Sequence, residues 1–249
     1  MPRYDFRTPR LHVDAALGSG ARLALDAGQT NYLRNVLRLR AGDGVLVFNG
    51  RDGEWHAVLA EAGKRAVSLT VGEQLRPQTP RLDLHYLFAP LKHARLDYMV
   101  QKAVELGASC LQPVLTRHSQ TARVNLERMK ANAIEAAEQC GILTLAEISA
   151  PVGLDALLAT RDRERLLVFC DEDAEVIDPI AALAAERRPG PRPLAVLVGP
   201  EGGFAEDERQ ALIRQPNVVR LALGPRILRA DTAAVAALAL VAAVLGDWR

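Results

Sequence analysis

Gly199-Pro200-Glu201-Gly202-Gly203-Phe204 follows directly on the apolar run Leu194 to Val198, and the acidic start Ala205-Glu206-Asp207-Glu208 follows in turn. Glycines at the carboxyl end of a strand let a ligand lie against the backbone and leave amides free to face it. The same spacing also serves a plain tight connection into a helix. It is not a phosphate loop, since no Gly-Lys-Ser/Thr follows and no Gly-x-Gly-x-x-Gly occurs in the chain. Three acidic residues opening the next helix would repel a pyrophosphate from its amino end, so an uncharged or cationic ligand suits the loop better. A second loop, Leu221-Ala222-Leu223-Gly224-Pro225-Arg226-Ile227-Leu228-Arg229-Ala230-Asp231-Thr232, carries Arg226 and Arg229 around an apolar pair, with little acidic company except Asp231. Asp231 or Thr232 is expected to cap the helix that follows. Glycine loops at two strand ends point to one pocket.

Lys102 and Glu105, three residues apart on a helix-like stretch, are neighbours on one face and read first as a solvated pair. Glu135 and Glu138 admit a general-base reading beside that of a solvated acidic face. Basic residues gather in the first forty positions: Arg3, Arg7, Arg10, Arg22, Arg34, Arg38 and Arg40 against Asp5, Asp14 and Asp26, with Tyr4, Phe6 and Tyr32 interleaved. Arginine among aromatics is how a small β domain grips an RNA backbone and stacks bases, although arginine-rich composition alone gives the same count. The five histidines and three cysteines have no metal-ligand spacing, and no metal is expected. Cys110, Cys140 and Cys170 read as buried thiols, and His85 as a core histidine.

The elements that must position these residues fall into two styles. Short alternating runs, Arg22–Leu25, Gly44–Phe48 and Ala66–Val71, stand between Gly42-Asp43-Gly44, Asn49-Gly50 and Asp52-Gly53, as in a small β-barrel; one helix, Gln29 to Leu37, interrupts them. Arg76-Pro77-Gln78-Thr79-Pro80-Arg81 reads as a linker, which puts one domain at 1–76 and a second at 77–249. Beyond it, apolar strands at 82–88, 110–115, 166–170, 194–198 and 218–223 alternate with helices at 94–106, 126–139, 179–185, 206–214 and 232–245. That alternation predicts an α/β domain with a parallel sheet covered on both faces. The chain has 249 residues, 31 basic against 30 acidic, for a net charge of +1, which argues neither for nor against nucleic acid. Composition excludes disorder, collagen and a disulfide scaffold. The apolar stretch Ala233–Leu245 is short of the roughly 20 residues a membrane span needs, and the N-terminus lacks the apolar core of a secretory signal, so a cytoplasmic location is expected.

Taken together, Gln101-Lys102-Ala103-Val104-Glu105-Leu106-Gly107, Glu135-Ala136-Ala137-Glu138-Gln139-Cys140-Gly141, Leu197–Phe204 and Leu223–Arg229, in this order, resemble the RsmE-type uracil-N3 methyltransferases of small-subunit ribosomal RNA, members of the SPOUT superfamily. The likeness runs essentially from end to end. It implies an N-terminal PUA-like barrel that binds RNA, a C-terminal domain with a deep trefoil knot, a homodimer, and S-adenosylmethionine bound within the knot. Carried onto this chain, it gives as cofactor-binding candidates Leu197, Val198, Gly199, Pro200, Glu201, Gly202, Gly203, Leu221, Leu223, Gly224, Ile227 and Leu228. Arg226 and Arg229 are candidates for holding charge on the uracil oxygens or a phosphate, because a guanidinium cannot accept the N3 proton. Glu138, Glu201 or water is left to take that proton. RNA-binding candidates are Arg3, Arg7, Arg10, Arg22, Arg34 and Arg38, with Lys92 and Lys102. Ile142 and Ala146 stand where the family usually has Arg and Pro. A hydrolase or dehydrogenase is disfavoured by the absence of a nucleophile elbow and of a dinucleotide fingerprint. A non-catalytic RNA-binding or ribosome-assembly factor that keeps the fold is the alternative.

Overall fold

The computed structural model describes residues 7–61, 67–121, 123–175 and 178–248, so Arg3, Tyr4 and Phe6 lie outside it. The chain forms two compact units, Met1–Pro80 with Ala137–Leu145, and Arg81–Ala136 with Ala146–Arg249.

In the first unit, β1 (Arg10–His12), β2 (Arg22–Ala24), β3 (Gly44–Phe48), β4 (Glu54–Glu61) and β5 (Val67–Arg76) form one sheet in the order β1-β3-β4-β5-β2. The β1–β3 pair is parallel and the other pairs are antiparallel. Alternation along the strands puts Leu23, Val45, Val47, Leu69 and Val71 into a core shared with Leu33, and each is at most 3% exposed. The helical segment begins at Ala27 rather than Gln29, because Asp26 and Gln29 cap it reciprocally; α1 (Ala27–Asn31) then runs into a π-helical turn over Tyr32–Val36.

Glu54 opens β4 as a buried carboxylate: it accepts Arg10 Nε at 2.9 Å, Arg76 Nε at 2.7 Å and Arg76 Nη2 at 2.8 Å. Arg10 is therefore corrected as an RNA candidate. Its side chain is 5% exposed and its charge is spent inside the fold. The segment 137–145, which the sequence reading places in the second domain, is tied into this unit. His12 N–H donates to Glu138 Oε1 at 2.8 Å, Arg76 Nη2 to the Gly141 carbonyl at 3.0 Å, and Gln78 Nε2 to the Leu143 carbonyl at 3.2 Å.

The second unit carries β6 (Leu84–Phe88), α2 (His93–Glu105), β7 (Cys110–Leu115), α3 (Leu126–Cys140, whose last turn belongs to the first unit), β8 (Glu147–Ile148), β9 (Val152–Gly153), α4 (Leu154–Thr160), β10 (Leu166–Cys170), α5 (Pro179–Ala185), β11 (Leu194–Val198), α6 (Glu206–Ile213), β12 (Val218–Leu221) and α7 (Ala230–Val244). Its strands lie in the order β12-β10-β11-β6-β7-β8, with β9 also on β7, and every pair is parallel. This is the α/β parallel sheet expected from the sequence, and β11 at its centre is buried at every position. The short elements β8, β9 and α4 were not foreseen, being too brief to show a period.

Three local readings are corrected. Arg229, not Asp231 or Thr232, stands at the N-cap of α7, and no side chain caps that end. Cys140 is exposed, because the end of α3 turns it outward, and Cys170 is only partly covered, whereas Cys110 is buried as expected. His85 is only partly covered; burial, and then the charge of Arg165, holds its ring below the ordinary histidine value.

Candidate active site

β11, β10 and β12 are neighbours, so the loops leaving their carboxyl ends converge, which is where open parallel sheets place ligands. Between these loops lies a cavity of about 290 Å³. Val198, Gly199, Pro200, Glu201 and Gly203 line it from one side, and Leu221, Leu223, Gly224, Arg226, Ile227 and Leu228 from the other. Two of the cofactor candidates do not line it: Leu197 is fully buried within β11, and Gly202 faces His118. Arg229 lies outside the lining and is exposed, its carbonyl accepting Ala233 N–H at 2.8 Å. Glu138 belongs to the first unit, where its Oε1 accepts the N–H of His12 at 2.8 Å, and it is not among the residues that line this cavity.

Sequence reasoning missed the third wall, formed by Cys170, Asp171, Glu172 and Asp173, together with Phe204, Arg209, Pro225, Ala230 and Ala233. The signal was available, because Cys170 ends a strand as apolar as β11. The Asp171 carboxylate, 3% exposed, accepts Arg209 Nε at 3.1 Å and Arg220 Nε at 2.8 Å. Arg220 Nη2 also donates to the Asp173 carbonyl at 2.8 Å, and Asp171 N–H to the Leu221 carbonyl at 3.1 Å. These bonds tie the loop after β10 to β12 and α6, so the wall is held rigid before any ligand arrives. Burial, then the negative Asp171, pushes the Cys170 thiol up to about 12, so it stays protonated and is no nucleophile.

The glycine loop is fixed from both ends. A Cβ on Gly199 would stand 2.5 Å from Cε2 of Phe204, and that ring is backed edge-on by Phe169 with centroids 5.2 Å apart. His118 Nδ1 lies 3.1 Å from the Gly202 carbonyl and 3.2 Å from that of Gly203; carbonyls only accept, so Nδ1 carries the proton. Arg117 donates its N–H to Glu208 at 2.8 Å and Nη2 to Asp207 at 2.6 Å, a bond that holds the Asp207 carboxyl below the usual range.

The cavity is lined with acid. The Glu201 carboxylate pairs with Arg95 at 3.3 Å, and Asp173 stands 3.9 Å from Arg209. Glu172, whose Oε1 lies over Gly203, has no cationic partner among the described residues. An apolar slot with free glycine backbone and an unneutralised carboxylate at Glu172 suits a cationic ligand with a flat apolar part better than a polyphosphate.

The comparisons with known proteins agree with this geometry. A family model described as an RNA methyltransferase domain matches residues 77–242, and one described as an RNA methyltransferase PUA domain matches residues 25–72. The chain is 31% identical over 233 residues to the ribosomal RNA small subunit methyltransferase E of Rickettsia conorii, covering 93% of this chain and 94% of the relative. It superposes with a TM-score of 0.85 at 26% identity on the enzyme of that name from Neisseria gonorrhoeae, solved bound to S-adenosyl methionine, over 98% of this chain and 100% of that one. A Legionella pneumophila protein solved with SAM matches at a TM-score of 0.84 and 27% identity, over 95% of this chain and 98% of that one. With an RNA methyltransferase domain across its parallel sheet, a PUA domain before it and relatives of one name along its whole length, the chain belongs to the ribosomal RNA small subunit methyltransferase E family.

Proposed function

We propose that this chain methylates N3 of a uridine in small-subunit ribosomal RNA, using S-adenosylmethionine bound at the carboxyl ends of β10, β11 and β12. The carrying observation is the acid-lined glycine cavity with Arg226 in its lining. S-adenosylmethionine supplies an electrophilic methyl on a positively charged sulfur. The backbone of Gly199, Gly203 and Gly224 leaves room for it, Leu221, Leu223, Ile227 and Leu228 offer apolar contact, and the Glu172 and Asp173 carboxylates favour its charge. Arg226 donates hydrogen bonds to a uracil oxygen as the N3 proton leaves, holding the charge that develops there. Glu201, at the cavity edge, or water accepts that proton, and Arg229 clamps a phosphate or the second oxygen.

RNA contacts in the first unit fall to cations that the fold leaves at its surface, Arg7, Arg22 and Arg38, with Arg34 partly covered. Lys102 forms an ion pair with Glu105 at 2.7 Å, as the spacing suggested, and Lys92 is exposed. The second unit carries the trefoil knot of the family, and two copies associate. Supporting association, α7 buries Ala234, Ala237, Leu238 and Val241 but leaves Val235, Ala236, Ala239, Leu240 and Ala243 partly or fully uncovered on one apolar face. No helix among the described residues is long and apolar enough to cross a membrane, in keeping with action in the cytoplasm.

Small ribosomal subunits lacking uridine methylation, incubated with the protein and isotope-labelled S-adenosylmethionine, are expected to yield label in N3-methyluridine on digestion and mass spectrometry. Label in another nucleoside, or cofactor binding without label, rejects this reading; the latter favours the non-catalytic RNA-binding alternative. Light scattering at micromolar concentration should give the mass of a dimer, and a monomer would remove the α7 interface.

A further inference from the structure

Next to the cofactor cavity the second unit has another, also of about 290 Å³, between the start of α2 and the loop that leads into α3. We propose that this second cavity holds a phosphodiester group of the RNA strand beside the target uridine, gripped by Lys92 and Arg123. The inference deepens the methyltransferase reading and rests on it for the identity of the RNA.

Lys92, Arg123 and Arg128 line the cavity with a single carboxylate, Asp97. Asp97 is already engaged: Arg128 reaches it through Nη2 at 2.6 Å and Nε at 2.9 Å, and Asn132 Nδ2 donates to it at 2.7 Å. Lys92 and Arg123 are exposed and have no carboxylate partner among the described residues. The floor is apolar, with Leu91, Leu96 and Met129 at 3%, 9% and 1% exposure. A low-dielectric floor under two unpaired cations strengthens their hold on an anion. Asn125 Oδ1 accepts the backbone N–H of Arg128 at 3.0 Å, so the loop is held in place at the start of α3.

Lys92 follows the carboxyl end of β6, the strand beside β11, so the two cavities open on the same edge of the sheet. Structural ties run between the cavities on both sides. Arg95, on the first turn of α2, pairs with Glu201 of the glycine loop at 3.3 Å. The β7–α3 loop that supplies Thr121 and Arg123 also supplies Arg117 and His118, which grip that glycine loop.

Glu172, on the wall of the cofactor cavity, has no cationic partner among the described residues and disfavours phosphate beside it, so the backbone of a strand whose base enters there is better held by cations alongside. This cavity supplies them.

The test compares the full-length parent with the double variant Lys92→Ala/Arg123→Ala and the charge-keeping Lys92→Arg/Arg123→Lys. Single-stranded RNA from the small subunit is titrated over a salt series, and S-adenosylmethionine binding is followed by calorimetry as the control for folding. The expected result for the alanine pair is RNA binding weaker by about tenfold or more and a salt slope shallower by roughly 0.7 to 1.4, since each lost phosphate contact removes about 0.7 on a single strand. Cofactor affinity should be unchanged, and the charge-keeping pair should recover most of the slope. Equal RNA affinity and slope in the parent and the alanine pair, or no RNA binding by the parent, overturns the proposal. So does a cavity that takes inorganic phosphate, seen by phosphorus resonance in the parent and lost in the alanine pair, while the RNA slopes coincide. A parent that binds RNA through these residues yet places no methyl on uridine overturns the methyltransferase reading and leaves the phosphate site standing.

Discussion

Arg226→Ala is expected to bind S-adenosylmethionine nearly as the parent does and to lose about 10² to 10³ in kcat, the usual cost of removing one donor aimed at developing negative charge. Arg226 lines the cavity, and its guanidinium has no carboxylate partner among the described residues, so its charge is available to a substrate. It cannot serve as the base, and its contribution grows only as the uracil oxygen gains charge; the loss therefore falls on kcat and not on cofactor affinity. Arg226→Lys keeps the charge but not the two-pronged geometry and should recover part of the rate. Arg229→Ala should cost less, because that side chain lies off the cavity wall and its structural duty at α7 is carried by its backbone carbonyl. Single-turnover rates with calorimetry separate the two effects. An unchanged rate in Arg226→Ala removes the arginine from the chemistry.

Glu54→Ala is expected to destabilise the first unit by about 3–5 kcal/mol, since it leaves the buried guanidinium of Arg10 and the partly covered one of Arg76 facing each other without their carboxylate. The side chains of Arg10, Arg76 and Glu54 are 5%, 16% and 3% exposed, so water cannot replace the lost partner. Arg76 also holds the Gly141 carbonyl, so the 137–145 segment should loosen with it. Acid should produce part of the same effect in the parent. Burial pushes the Glu54 carboxyl up, but the hydrogen bonds from Arg76 and Arg10 outweigh it and hold the group below its ordinary value of 4.5. The unfolded chain then binds the proton more readily than the folded one. The stabilisation is thus fully present above about pH 4.5 and is lost as pH falls through the lowered folded value. Denaturant midpoints measured from pH 7 down to pH 3 should fall with acid in the parent and show a flatter profile in Glu54→Ala. Parallel profiles would place the acid sensitivity in other carboxylates.

Among the strands of the second unit, those read most closely from the sequence were β7, β10 and β11, whose ends match the expected runs to the residue. A strand buried on both faces is written as an uninterrupted apolar run, and its limits are visible wherever polar residues resume. β4 escaped notice because it opens with Glu54, a charge that local pattern assigns to a surface. The two glycine loops were legible because they follow such strands. The Cys170–Asp173 wall was not singled out, because it holds no glycine and its acidic residues look like any solvated turn.

The misplaced residues have one cause in common. Arg10 looked like an RNA ligand because its neighbours in the chain are basic, yet its partner Glu54 lies 44 residues away. Glu138 looked like a base on a helix face, yet it accepts the N–H of His12, 126 residues away. The sequence by itself determined the parallel α/β sheet, the preceding β unit and the two glycine loops, because apolar periodicity and glycine turns are local properties of the chain. Which charges are neutralised in the interior and which remain free for RNA or cofactor was decided only by the tertiary structure. A charge is spent or spared according to what stands within about 4 Å of it, and folding brings that neighbour from anywhere along the chain.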